Sequence, residues 1–162
     1  MATTGTDADT GTDVGTDTGE EFRKLDEFMC FALYSAQRAV MNAYRPLLDK
    51  LGVTYPQYLV LVALYENGPS LVKNLGTALH LDYGTLTPLL KRLEANGLVK
   101  RQRRADDERL VEVSLTAEGT ALRRKANVVV PSLDTAMGLT QEEQREAKEL
   151  LRRMSENLAA HG

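Results

Sequence analysis

Cys30 is the only cysteine of the chain, set in the apolar run Phe28-Met29-Cys30-Phe31-Ala32-Leu33-Tyr34, and Tyr44 and Tyr55 follow it. A phenolic hydroxyl that donates to a sulfur stabilises the thiolate over the thiol, at a net of roughly 0.5 to 1.5 kcal/mol per bond. The thiolate is the form that attacks a peroxide, giving a sulfenic acid. Once the sulfur is capped, the phenols lose their anionic acceptor, so the set has the logic of a switch. Tyr34 lies one turn from Cys30 on the same helix face. Tyr44 lies fourteen residues on, roughly 21 Å along a helix rising about 1.5 Å per residue, and cannot reach the Cys30 of its own chain. The Tyr44 of a second chain, crossing in a dimer, can approach it, and Tyr55 is another candidate donor. The competing reading is a small core side chain, the usual fate of a lone cysteine among hydrophobic residues.

A second set is cationic. Between Lys91 and Arg109, Lys91, Arg92, Lys100, Arg101, Arg103, Arg104 and Arg109 outnumber Glu94, Asp106, Asp107 and Glu108. A charge run is ordinarily a solvated face. Here it coincides with a helix of groove-reading size, which points to double-stranded DNA.

That helix is predicted over about 84–96. Leu86, Leu89, Leu90 and Leu93 form one stripe, with Thr85, Thr87, Lys91 and Arg92 around the other side. Pro88 fits only an early turn, and Asn96-Gly97 supplies a left-handed stop. After it, 98–104 and 109–115 alternate partially and pair as a hairpin around Ala105-Asp106-Asp107-Glu108. A reading helix followed by a basic two-stranded flap is the outline of a winged helix-turn-helix, in a mainly α chain with a small β-hairpin wing.

The remaining segments must support this element. From Leu25 to Leu51 apolar residues recur at helical spacing, with Pro46 a candidate bend and apolar content on more than one face near Phe28 to Leu33. Burial against a partner subunit is the economical explanation. Gly52 ends this helix, Thr54 and Pro56 open the next, and Tyr58 to Glu66 is apolar nearly all round. Asn67-Gly68-Pro69 breaks it, and Ser70 is expected to cap a short third helix striped by Leu71, Leu75 and Leu79. Thr116 begins another helix with the stripe Leu122, Ala126, Val129 and Val130 up to Pro131, in which Gly119 weakens the first turn modestly. Thr140 and Glu143 form a capping box for a last helix through Ala147, Leu150, Leu151, Met154 and Leu158. Joining these terminal helices in a homodimer sets two reading helices one DNA turn apart, roughly 34 Å, as a palindromic operator requires.

The 162 residues suit one ordinary domain. Residues 1–21 repeat Thr, Gly and Asp and are expected to be a disordered acidic tail. They hold six acids and no base, so the net charge of −3 becomes +3 for residues 22–162. The expected organisation is the tail at 1–21, an N-terminal helix with the redox cysteine at 22–51, the DNA-binding domain at 52–115 and dimerisation helices at 116–162. No apolar run approaches the roughly 20 residues of a membrane helix, and no secretory signal opens the chain. The expectation is a soluble cytoplasmic protein with no membrane partner. His80, at a predicted turn, and His161 give no metal-ligand cluster with a single cysteine, so no metal or cofactor is expected.

The run YRPLLDKLGVTYPQYLVLVALYE, followed by LHLDYGTLTPLLKRLEANGLVKRQRRADDERLVEVSLTAEG, resembles the MarR family of winged-helix repressors over about Leu25 to Leu158. The Asp107-Glu108-Arg109 wing tip and Leu115 to Gly119 carry the broad likeness. The cysteine in FMCFALY, with YRPLL and TYPQY, is more similar to the organic hydroperoxide resistance regulator branch. The resemblance implies Cys30 as peroxide sensor, Tyr44 (from the partner) and Tyr55 as thiolate donors, and Tyr34 as a pocket neighbour. It also implies Thr85, Thr87, Pro88, Lys91 and Arg92 as DNA contacts on the helix, with Arg109 in the minor groove. Arg103 and Arg104 join them by charge. No second, resolving cysteine is present, so the resemblance is to the one-cysteine type, whose sulfenic acid is capped by a small cellular thiol or oxidised further.

The reading is a homodimeric, non-enzymatic repressor that leaves DNA when an organic hydroperoxide oxidises Cys30. Two others stay open at this point: a repressor released by a small aromatic ligand, and a cysteine peroxidase.

Overall fold

The computed structural model describes residues 24–127 and 135–161. They fall into two compact units, divided between Ala36 and Gln37. The first holds a 3-10 turn, Leu25–Glu27, and the start of helix α1, Met29–Leu51. The expected helix from Leu25 is thereby corrected, because Phe28 is extended (φ −82°, ψ 118°) and interrupts it. Its carbonyl then accepts the first α1 hydrogen bonds, from Phe31 and Ala32. The helix runs on through Pro46 to Leu51.

In the second unit α1 ends at Gly52 (φ +67°), and α2 (Tyr55–Asn67) follows. The Gln57 side chain accepts from the Thr54 N–H at 2.8 Å, tying down the entrance to α2. Next come β1 (Ser70–Leu71), α3 (Val72–Leu79), α4 (Tyr83–Ala95), β2 (Val99–Arg103), β3 (Val111–Leu115), α5 (Ala117–Ala126) and α6 (Gln141–His161). The sheet is antiparallel in the order β1-β3-β2, with Val99 opposite Leu115, Arg103 opposite Val111 and Ser70 opposite Val113.

Two expectations need correction here. Ser70 does not cap the third helix: it pairs as a strand with Val113, its hydroxyl donates to the Gly68 carbonyl at 3.1 Å, and Leu71 is the N-cap. The pairing of β1 with the free edge of β3 satisfies backbone groups that a helix start would have left open. Leu71 accordingly leaves the helical stripe, and Val72 and Leu75 are the buried pair. Val129, Val130 and Pro131, like the acidic tail 1–21, lie outside the described residues.

The core is built by Val60, Leu61 and Leu64 of α2, Leu75 of α3, Leu86, Leu90 and Leu93 of α4, Val99 of β2 and Val113 of β3, each at 2% exposure or less. Burying each such side chain contributes roughly 1.5 to 3 kcal/mol, enough to fix α4 by its leucine stripe and leave its other face outward. Helix α5 is seated on the start of the wing. Thr116 donates its N–H to the Leu98 carbonyl at 3.1 Å and its hydroxyl to the Gly97 carbonyl at 2.6 Å. Its hydroxyl oxygen also accepts from the Gly119 N–H at 3.0 Å, capping the helix. A Cβ at Gly119 would overlap the Leu98 carbonyl oxygen, so the glycine is required by close approach. The α6 entrance is the expected capping box: Thr140 N–H donates to Glu143 at 2.8 Å, and Glu143 N–H donates to Thr140 Oγ1 at 3.2 Å. No α6 residue is buried; Leu150, Leu151 and Leu158 are 56%, 45% and 66% exposed.

Candidate nucleic-acid interface and thiol site

Asp82 sets the start of α4, its carboxylate accepting from the Thr85 N–H and the Thr85 hydroxyl, both at 2.8 Å. These bonds hold the Asp82 carboxyl below its ordinary range, so the cap stays ionised and favours the helix N-terminus. Thr85, Pro88, Lys91 and Arg92 are exposed, while Thr87 is half-buried with its hydroxyl oxygen inside and without a hydrogen-bond partner. Thr87 therefore does not present its hydroxyl alongside its neighbours. Tyr83, absent from the expected set, is 70% exposed at the first position of α4. His80, in the left-handed region at φ +52°, closes α3.

The wing cations differ in their surroundings. Glu94 of α4 clasps Arg101 of β2: its carboxylate accepts from Arg101 Nε at 2.8 Å and from the Arg101 backbone N–H at 3.1 Å. This ties the reading helix to the wing. Arg104 pairs with Asp106 at 2.5 Å, and Arg103 donates to the Glu108 carbonyl at 3.3 Å. Arg109 is held by its backbone, whose N–H donates to Asp107 at 3.0 Å. Among the described residues Lys91, Arg92, Lys100, Arg103 and Arg109 form no ion pair, and all five are exposed. They are, among the described residues, the unpaired, exposed cations of α4 and the wing.

Cys30 is exposed. Phe31 and Tyr34 lie with ring centroids 6.4 Å apart beside it in sequence, and Tyr34 is 53% exposed. In the second unit Tyr44 and Tyr55 meet, with ring centroids 4.9 Å apart, and Tyr58 closes a three-ring cluster at 6.3 and 6.4 Å. Burial pushes the Tyr55 phenol above its usual value of 10.0, so at neutral pH it remains an O–H donor.

Sequence reasoning missed the residues behind that cluster. The Arg123 guanidinium of α5 sits 5.8 Å from the Tyr58 ring and 5.3 Å from that of Tyr65. Tyr58 and Tyr65 are seven residues apart on α2 and so share a face, the one signal available in the sequence. Burial raises the Tyr58 phenol and Arg123 partly offsets it. Among the described residues no group of His, Cys, Asp and Glu could hold a metal ion, and no helix is long and apolar enough to cross a membrane.

The chain is similar to known proteins. Residues 42–125 match the family model described as Transcriptional regulator SarA/Rot. Over 127 residues the chain is 47% identical to the organic hydroperoxide resistance transcriptional regulator of Bacillus subtilis (strain 168), a match covering 78% of this chain and 84% of that one. It is 41% identical over 128 residues to the HTH-type transcriptional regulator MgrA of Staphylococcus aureus, covering 78% and 87%. A solved structure of reduced AbfR bound to DNA matches with a TM-score of 0.67 at 35% identity, covering 80% of this chain and 91% of that one. Overoxidized AbfR bound to DNA matches with 0.66 at 34%, covering 80% and 90%. With its winged helix, and at these identities and coverages, the chain belongs to the MarR and SarA type of winged-helix transcriptional regulators, in the organic hydroperoxide resistance regulator branch.

Proposed function

We propose that this chain is a homodimeric, cytoplasmic repressor that holds palindromic operator DNA while Cys30 is reduced and releases it once an organic hydroperoxide has oxidised that thiol. The observation that carries the reading is Cys30 itself: the chain's one thiol, exposed, in a chain 47% identical to a regulator named for organic hydroperoxide resistance. AbfR, solved on DNA in reduced and overoxidized forms, supports redox chemistry in a relative of this shape.

The thiolate sulfur gives an electron pair to the terminal peroxide oxygen, an S–O bond forms and the O–O bond breaks. The departing alkoxide takes a proton and leaves as the alcohol. The sulfenic acid then condenses with a small cellular thiol, forming a mixed disulfide and releasing water. Tyr55 and the partner subunit's Tyr44 donate to the thiolate beforehand and lose that acceptor afterwards, with Tyr34 alongside. Thr85, Thr87, Pro88, Lys91 and Arg92 face the major groove, Arg109 enters the minor groove, and Arg103 attends the phosphates, Arg104 being taken up by Asp106. Of these, Thr87 is the weakest member, because its hydroxyl is turned inward. The exposed leucines of α6 and the apolar start of α1 supply the dimer surface.

The test is binding of the reduced protein to DNA from upstream of its own gene, followed by one equivalent of tert-butyl hydroperoxide with a small thiol present. The expected result is release that dithiothreitol reverses, with peroxide consumed one per subunit. Release that ignores thiol reductants would point instead to an aromatic ligand, and continued turnover of peroxide to an enzyme.

A further inference from the structure

Arg123 lies over two rings of α2, at 5.8 Å from Tyr58 and 5.3 Å from Tyr65. Its Nε is buried with no hydrogen-bond partner, its guanidinium donates to Asn127 on its own chain segment, and among the described residues it has no carboxylate partner. A half-buried cation that meets no carboxylate among the described residues is steadied by the π faces beneath it, beside its bond to Asn127. Tyr58 in turn belongs to the cluster with Tyr44 and Tyr55. Seven residues before Arg123, at the other end of α5, Thr116 is bonded to the carbonyls of Gly97 and Leu98, and Gly119 packs against Leu98. Gly97 and Leu98 join the reading helix to the first wing strand. A rigid helix about two turns long thus has a tyrosine-held cation at one end and the root of the DNA-reading element at the other.

We infer that Arg123 is a positioning residue that couples the tyrosine cluster to the α4–wing junction through α5. The inference rests on the redox reading of Cys30. Once the tyrosines lose the thiolate, a shift of Tyr58 leaves the cation without its ring faces. It moves to recover them, and α5 carries the displacement to Leu98. The charge and the flat contact with two rings are what matter, so Arg123→Lys keeps the device and Arg123→Met keeps only the packing volume.

The readout is the ratio of operator dissociation constants for the tert-butyl hydroperoxide-treated and reduced forms, with cysteine as the capping thiol. Wild type, Arg123→Lys, Arg123→Met and Tyr58→Leu are compared, with intact mass confirming equal modification of Cys30. Allosteric couplings commonly amount to roughly 5- to 150-fold in affinity. The expectation is that Arg123→Met and Tyr58→Leu bring the ratio down by about tenfold or to near one, while Arg123→Lys retains most of it. A purely structural role would instead weaken both forms equally and leave the ratio unchanged. A wild-type ratio preserved in Arg123→Met overturns the inference alone. A wild-type ratio near one overturns the redox reading and the inference with it. Should Arg123→Met bind too weakly when reduced, Tyr58→Leu and Arg123→Lys decide by the same ratio.

Discussion

Gly119, in the first turn of α5, packs so closely on the carbonyl oxygen of Leu98 that a methyl group could not stand between them. Glycine to alanine inside a helix ordinarily stabilises by roughly 0.5 to 1 kcal/mol. Here the sign reverses. Gly119→Ala must push α5 off backbone atoms and should destabilise by about 1 to 3 kcal/mol, read from the midpoint of urea unfolding. A stabilised variant would mean that α5 is not seated on the wing.

The Glu94–Arg101 pair links reading helix to wing at 2.7 Å, with the side chains 37% and 26% exposed. Solvent at that exposure limits the coupling, which should come to roughly 0.5 to 1 kcal/mol in a double-mutant cycle. Arg101 holds the Glu94 carboxyl below its ordinary 4.5. A lowered folded value means the contribution is present above pH 4.5 and fades as acid titrates the folded carboxylate below it. Glu94→Gln should therefore cost stability at pH 7 and progressively less as the pH falls below 4.5, a trend that unfolding midpoints across an acid series would register.

Exposed cations without acid partners act on phosphates, so their loss changes salt dependence more than sequence preference. Lys100→Ala and Arg103→Ala should each weaken operator binding and reduce the slope of log affinity against log salt by about one. Fluorescence anisotropy across a salt series measures this. An unchanged slope for both would place the DNA elsewhere on the chain.

Helix α6 leaves Leu150, Leu151 and Leu158 in solvent on a single chain. A face of this size wants a partner, and a second copy is the occupant the proposed repressor requires. Leu151→Glu should yield a monomer in sedimentation velocity and lose operator binding by more than about tenfold, since two half-sites are then read separately. A dimer that survives the substitution would locate the interface away from α6.

The reading helix was legible because its signals are local: a leucine stripe, an early Pro88 and Asn96-Gly97 all speak within one element. The wing was legible for the same reason, with Asp107-Glu108-Arg109 marking its tip. Strand β1 was not. Two residues carry no periodicity, and Ser70-Leu71 becomes a strand only because β3 offers it an edge. Gly119 read as a mild helix weakness because the Leu98 carbonyl that demands it is brought there by folding. Tyr44 and Tyr55 were picked out by type and spacing, and the fold sets their rings together. Arg123 went unnoticed, since nothing near it in sequence marks a cation that lies on Tyr58 and Tyr65.

The central claim is that one sulfur controls DNA binding. The direct measurement is operator affinity of wild type and Cys30→Ser, each before and after one equivalent of tert-butyl hydroperoxide with a small thiol. The account predicts that both reduced proteins bind alike, that peroxide releases only the wild type, and that dithiothreitol restores it. A Cys30→Ser protein that still leaves its operator on peroxide treatment would contradict it.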